Sequence, residues 1–300
     1  MTLRTAVIIA TKNRPREVSN LLDVLALQTV LPDVVIISAS DLSDIERNDS
    51  TALNIQTVFG PPGLTAQRNR ALSQVRATCD VVVFFDDDFI PSRFWIERIQ
   101  VLLATYPGVG CVTGLLLADG VKSGGIEWTV GRSMVHQSDC SKQIVTKINQ
   151  IIKDPVLPYG CNMAFRTKAI EQIEFDERLV LYGWLEDRDF GFRAAVDTKI
   201  ISTDFLWGVH LGTSQGRISG LRFGYSQIVN PWYLMQKGTM RPIDAYSFIA
   251  RGIGRNAVGS VFQDSDVDRW GRFKGNLMGL RDIVTNRWAP EKIKELGISH

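Results

Sequence analysis

Along the first hundred residues, short apolar runs alternate with segments whose apolar residues recur at helical spacing. Thr5–Ala10 is a run of the first kind, closed by the polar Thr11-Lys12-Asn13-Arg14. Pro15 follows, and its fixed φ suits the first turn of a helix. Val18, Leu21, Leu22 and Leu25 then mark one face of a helix reaching about Gln28. Residues 34–38 and Ile55–Phe59 read as the second and third strands. Gly60-Pro61-Pro62-Gly63 breaks the chain before a helix that Thr65 is expected to cap. Residues 81–85 form a fully buried strand running into Asp86-Asp87-Asp88. Pro91 is expected to open the next helix, with Ile96, Ile99, Leu102 and Leu103 facing inward. Residues 120–158 have weak periodicity and read as irregular structure with short strands.

Strands alternating with helices predict an α/β domain, a mostly parallel sheet with helices on both faces. Ligands of such sheets bind beyond the carboxyl ends of the strands. The loops at 11–14, 38–41, 60–63 and 86–88 fall there. Three hundred residues, 45% of them apolar, suffice for one large domain or a domain with an appendage. With 34 Lys and Arg against 32 Asp and Glu, the net charge of +2 argues against a nucleic-acid partner. The charge is uneven, however: from Leu211 onward 13 basic residues face 7 acidic ones, leaving +6 there and −4 on the rest. That tail suits an anionic partner. Cys79, Cys111, Cys140 and Cys161 are scattered without a CxxC pair, as expected of reduced thiols in a cytoplasmic chain. Thr5–Ala10 reads directly as a buried strand, so no signal peptide is expected, and no apolar run approaches the ~18 residues that span a bilayer.

Three consecutive aspartates after a buried strand repel one another in a low-dielectric setting. A divalent cation resolves the repulsion, and hard oxygen ligands suit Mg²⁺ or Mn²⁺. Asp86 and Asp88 point the same way if strand geometry continues through them. An acidic loop capping the next helix is the plainer alternative, although one aspartate would suffice for that. A second acidic group, Glu186, Asp187 and Asp189, follows Tyr182-Gly183-Trp184-Leu185 at the start of a predicted helix. Acidic first turns are favoured by the helix dipole alone. A carboxylate reachable by a substrate hydroxyl can also serve as a general base.

Five stretches carry a family resemblance: Val7-Ile-Ile-Ala-Thr-Lys-Asn-Arg14, Thr65-Ala-Gln-Arg-Asn-Arg-Ala-Leu72, Phe84-Phe-Asp-Asp-Asp-Phe-Ile-Pro91, Gly160-Cys-Asn-Met-Ala-Phe-Arg166 and Glu186-Asp-Arg-Asp189. In this order, with Asp187 standing 99 residues after Asp88, residues 5 to about 212 resemble the bacterial family 2 glycosyltransferases of GT-A fold. The resemblance implies a Rossmann-like catalytic domain over 1–212 and a mainly helical extension over 213–300. It places Thr11 and Arg14 near a nucleotide, Arg68 and Asn69 on the nucleoside and diphosphate of a nucleotide-sugar donor, Asp86 beside the ribose, Asp87 in the donor-binding set, and Asp88 on Mn²⁺ or Mg²⁺. Asn162 and Glu186 join the donor-binding set through their motifs. Asp187 becomes the base of a single, inverting displacement. Relatives often have a metal-binding histidine some two dozen residues after the base, and His210 stands 23 residues after Asp187. Many also carry an acidic base-reading residue at the end of the second strand; Ser38-Ala-Ser-Asp41 stands there, so either Asp41 takes over or base recognition is looser.

The extension resembles those of exopolysaccharide-building transferases, in Asn230-Pro-Trp-Tyr-Leu-Met-Gln-Lys-Gly-Thr-Met240 and Gly271-Arg-Phe-Lys-Gly-Asn-Leu277. That implies an acceptor glycan on a polyprenyl diphosphate. Its large apolar residues, among them Trp232, Tyr233, Phe248, Ile249, Phe262, Trp270, Phe273 and Trp288, are interleaved with basic ones and fit peripheral attachment to the anionic inner face of the plasma membrane. Two rivals stand against this reading. A haloacid-dehalogenase-type phosphatase also has a strand-terminal Asp-x-Asp, but at its first strand. A catalytically inactive sugar-nucleotide-binding subunit would not need both acidic motifs.

Overall fold

The computed structural model describes residues 3–46, 52–121, 124–142, 151–152, 157–213, 219–262 and 267–297. The chain forms two compact units: Met1–Pro62, Ala66–Glu174 and Arg193–Gly216 make the first, Gly63–Thr65, Phe175–Phe192 and Arg217–His300 the second.

The first unit is built on one mixed sheet. Its alternating part runs β1 (Thr5–Ala10), α1 (Pro15–Leu25), β2 (Val34–Ala39), β3 (Ile55–Phe59), α2 (Leu64–Val75), β4 (Val81–Asp86), β5 (Phe89–Pro91) and α3 (Trp95–Thr105). Then follow β6 (Val109–Asp119), α4 (Trp128–Lys142), β7 (Ile151–Ile152), β8 (Asn162–Arg166) and β9 (Lys199–His210). Spatial order is β3-β2-β1-β4-β8-β6-β9-β5, with β7 beside β9. The first four strands are parallel, as the alternation predicts. The sheet is mixed beyond them, because β8 runs antiparallel to both β4 and β6. β1 and β4 are buried on both faces, hence their continuous apolar runs. Val18, Leu21, Leu22 and Leu25 of α1 and Ile96, Ile99, Leu102 and Leu103 of α3 join them in one core. Each such side chain contributes about 1.5–3 kcal/mol on burial.

Three local expectations are corrected. Thr65 lies inside α2 rather than at its cap: the break is made at Gly63, whose φ of +142° favours glycine, and the Thr65 hydroxyl instead donates to the Leu179 carbonyl at 3.1 Å. Pro91 ends an edge strand rather than opening a helix; among the described residues β5 pairs only with β9, so a missing N–H on its outer side costs little. Within 120–158 stands a fifteen-residue helix, α4. Its buried positions are Gly131, Val135 and Asp139, a face with one large apolar residue and therefore without hydrophobic periodicity. Asp139 has inward work: it accepts from the Ser92 hydroxyl at 2.6 Å and the Trp207 indole at 2.9 Å.

The second unit is helical. α5 (Glu186–Ala194) begins in it and ends in the first; α6 (Gly220–Lys237), α7 (Pro242–Val261) and α8 (Arg269–Val284) follow. Ser219 caps the start of α6, and Gly238 ends it in the left-handed conformation with φ +82°. Leu179, Leu185, Tyr233, Leu234, Met240 and Ala245 form its principal apolar cluster. No helix among the described residues is long and apolar enough to cross a membrane.

Candidate active site

Strand register assembles the acidic site of the first unit. Ala10 of β1 lies beside Asp86 of β4, so Thr11 and Asp87 emerge from neighbouring carboxyl ends. The Thr11 hydroxyl donates to Asp87 Oδ2 at 2.8 Å, and Arg14 Nη1 donates to Asp87 Oδ1 at 2.8 Å. On the other side β5 turns back against β9 with Phe89 opposite His210. Residues 87–88 form a turn, so strand geometry does not continue through them. Asp86 and Asp88 nevertheless converge with His210, each offering a ligand atom within 4.8 Å of the others.

The hydrogen bonds aim these groups. His210 Nδ1 lies 3.1 Å from Asp119 Oδ1, and β6–β9 register places Asp119 directly opposite it. A carboxylate at Nδ1 fixes an N–H there and leaves Nε2, on the opposite side of the ring, to take up a proton or a metal ion. Nε2 faces Asp88 Oδ1 at 3.3 Å and Asp86 Oδ2 at 3.9 Å. Acceptors facing one another at these distances need a proton or a cation between them. Asp88 Oδ2 is held separately, by the Thr213 N–H at 2.8 Å and hydroxyl at 3.0 Å. Arg68, buried on α2, donates from Nη2 to Asp86 Oδ1 and to the Gly160 carbonyl, both at 2.9 Å.

Charge follows geometry. Burial pushes the Asp87 carboxyl up to about 7, against the opposing pull of Arg14 and Thr11. Asp88 is buried too, but His210, Arg14 and the Thr213 N–H outweigh burial and hold it well below the carboxylate range. Burial works against a charged His210, while Cys161, Asp119 and Asp88 together raise the ring above its ordinary value. Four carboxylates (Asp86, Asp87, Asp88, Asp119) meet two guanidinium groups here, a set that fits a divalent cation.

Several expected residues take distinct places. Asn162 is fully buried, and its amide bonds the Gly114 backbone on both sides, N–H to Oδ1 at 3.1 Å and Nδ2 to carbonyl at 3.0 Å. In this geometry it ties β8 to β6. Asp41 is exposed and caps a short turn over Leu42–Asp44 by accepting from the Ser43 N–H at 2.9 Å. Asn69 is half-buried beside Arg68 on α2. Asp44, Gln67, Asp119 and Thr213 were not anticipated. Asp44 accepts from the backbone of Asn13, Ser40 and Asp41, joining the loops after β1 and β2, and Gln67 donates to the Thr11 and Ser38 carbonyls, joining the loop after β1 to β2. Gln67 sits inside a motif already singled out, which is the signal that could have found it.

The second acidic motif belongs to the second unit. Gly183 and two leucines, Leu181 and Leu185, hold positive φ just before α5, a strained approach for the leucines. The Trp184 carbonyl accepts from Asn230 Nδ2 at 2.9 Å. Glu186 is buried. Asp189 is fully buried and tied down by Lys237 Nζ at 2.9 Å and the Thr239 hydroxyl at 2.7 Å. Asp187 is half-buried, with one carboxylate oxygen accepting the Arg188 N–H at 2.7 Å.

No protein-family model matches the chain, and no curated protein matches it. Solved structures do share its fold. S. aureus TarS 1–349 in complex with UDP-GlcNAc superposes with TM-score 0.56 at 14% identity, over 98% of this chain and 84% of that one. Glucosyl-3-phosphoglycerate synthase from Mycobacterium tuberculosis, in complex with Mn²⁺, UDP-glucose and phosphoglyceric acid, superposes with TM-score 0.50 at 16% identity, over 79% of this chain and 80% of that one. The chain spans 40% of a longer S. aureus TarS structure. With its parallel half-sheet, its antiparallel β8 and the acidic turn after β4, this chain has the GT-A fold.

Proposed function

We propose that this chain is a metal-dependent glycosyltransferase that moves a sugar from a nucleoside diphosphate to a hydroxyl of a glycan, with inversion. The observation that carries the reading is the convergence of Asp86, Asp88 and His210 at the end of β4 on a GT-A fold, with His210 oriented by Asp119. Asp88 and His210 are the residues that would hold Mn²⁺ or Mg²⁺, which when bound supplies charge neutralisation for the leaving diphosphate. Thr11, Arg14, Arg68, Asn69, Asp86 and Asp87 are assigned to the donor, with uridine the favoured base and Asp41 its candidate reader.

The proton acceptor is assigned to Asp187, on the strength of the Glu186-Asp187 motif and of a carboxylate left half-buried while Asp189 is tied down. It takes the proton of the acceptor hydroxyl as that oxygen bonds to the anomeric carbon and the carbon–phosphate oxygen bond breaks. An α-linked donor thus yields a β-linked product. The acceptor class is a polyprenyl-diphosphate-linked oligosaccharide of exopolysaccharide synthesis, with the protein peripheral on an anionic membrane face. Incubation with a panel of nucleotide sugars, with and without chelator, tests the reading. Slow release of nucleoside diphosphate that stops on chelation supports it. Turnover of simple phosphate monoesters instead, or donor binding with no turnover toward any acceptor or water, overturns it.

A further inference from the structure

Where α6, α7 and α8 meet, the three helices enclose a polar centre, and α7 and α8 carry apolar residues on their exposed faces. At its centre Asn256 and Asn276 are fully buried and joined at 2.8 Å, with Gln227 accepting from Asn256 at 2.7 Å. α6 and α8 meet through glycines: a Cβ on Gly224 would stand 2.0 Å from the Arg272 carbonyl oxygen, and one on Gly275 would stand 2.2 Å from that of Leu221. Backbones this close leave little room between the helices for large apolar side chains.

Large apolar residues of α7 and α8 also lie outside. On α7, Ile243, Tyr246, Val258 and Val261 are exposed, Val261 at 75%, and their spacing puts them on one helical face. Arg251 and Arg255 are exposed beside that face. On α8, Trp270, Lys274, Leu277, Arg281 and Val284 recur at intervals of four and three, all exposed and therefore in one stripe. Lys274 Nζ lies 5.1 Å from the centre of the Trp270 ring. Ordinary surface helices put mainly charged and polar residues on such faces. Apolar residues alternating with long cationic side chains suit a boundary where rings and aliphatic groups enter acyl chains while Lys and Arg reach back to phosphates.

We infer that the exposed faces of α7 and α8 are the surface by which this protein docks on an anionic lipid bilayer. This deepens the peripheral attachment proposed above and names its residues. Tyr233 and Ile249, expected from the sequence to take part, are buried, and Trp232, Phe248, Phe273 and Trp288 are at most half-exposed. The positive excess from Leu211 onward selects the occupant: it fits an anionic headgroup surface better than a second, equally basic copy of itself.

The experiment is co-sedimentation of the full chain with vesicles of phosphatidylglycerol and phosphatidylcholine, and with vesicles of phosphatidylcholine alone. Binding to the anionic vesicles that weakens as salt rises is expected. The pair Lys274→Glu and Arg281→Glu should weaken it by roughly ten- to a hundredfold, and Val258→Ser with Leu277→Ser by about tenfold. Circular dichroism melts check that both pairs fold, and metal-dependent donor hydrolysis should stay as in the parent. That separates this inference from the catalytic one, since either can fail alone. Absence of binding to anionic vesicles overturns it, as does undiminished binding by both folded pairs. A dimer in sedimentation equilibrium that Val258→Ser with Leu277→Ser dissolves, without vesicle binding, gives the face to a second copy instead.

Discussion

The two acidic motifs neutralise their charge in opposite ways. Asp86, Asp87 and Asp88 are drawn together at and just beyond the carboxyl end of β4 in the first unit, with Arg14 and Arg68 set around them and His210 facing Asp86 and Asp88. In Glu186-Asp187-Arg188-Asp189 of the second unit, the carboxylates are dealt with one at a time. Asp189 is closed by Lys237 and Thr239 while Asp187 stays half-buried. Convergent carboxylates make a place for a cation. A half-buried carboxylate at a helix start can accept a proton and give it up again.

The sharpest way to break this comparison is to remove one function from each motif. Asp187→Asn keeps shape but loses the proton acceptor, so turnover should fall by about 10²–10⁴-fold with donor affinity nearly unchanged. Single-turnover kinetics and calorimetric titration with the donor read the two separately. Full activity in Asp187→Asn together with loss in Glu186→Gln would exchange their roles. In the first motif, Asp119→Ala releases the His210 ring and should weaken Mn²⁺ affinity by about 10–100-fold. Titration followed by electron paramagnetic resonance checks it.

How far these roles were legible depends on how local their causes are. Asp86, Asp88 and His210 stand in short motifs next to apolar runs, so their meeting could be expected from the sequence, though the turn at 87–88 could not. Asp119 and Thr213 act through register and turn contacts far along the chain from their partners, which nothing adjacent in sequence marks. α4 was hidden because its inward face is Gly131, Val135 and Asp139, which no apolar period reveals. The mixed half of the sheet was illegible for a related reason: β8 inserts antiparallel between β4 and β6 from a distant part of the chain.

Smaller effects separate the two regions by stability. Asp189→Asn leaves the Lys237 ammonium short of a partner and should cost about 1–3 kcal/mol in chemical denaturation, with donor hydrolysis less affected than in Asp187→Asn. The pH dependence should differ in sign. Burial raises Asp87 to about 7, above its unfolded value near 3.9, so its contribution is fully present below the lower value and is lost as pH rises through the higher one. Asp176 of the second unit is also buried in part, yet Lys237 and Tyr233 lower it, so its contribution is present at neutral pH and lost as pH falls through the depressed value. Thermal melts of the metal-free protein should therefore show Asp87→Asn flattening the decline between about pH 4 and 7 and Asp176→Asn flattening the acid limb.

The central claim is that the first motif is a metal site. Anomalous diffraction at the manganese edge, from crystals grown with Mn²⁺ and a uridine diphosphate, measures it directly. The account predicts one strong peak ~2.0–2.3 Å from both an Asp88 carboxylate oxygen and His210 Nε2, in contact with the diphosphate. A diphosphate-bound manganese held by other residues, with Asp88 and His210 still facing each other across an empty gap, would contradict it.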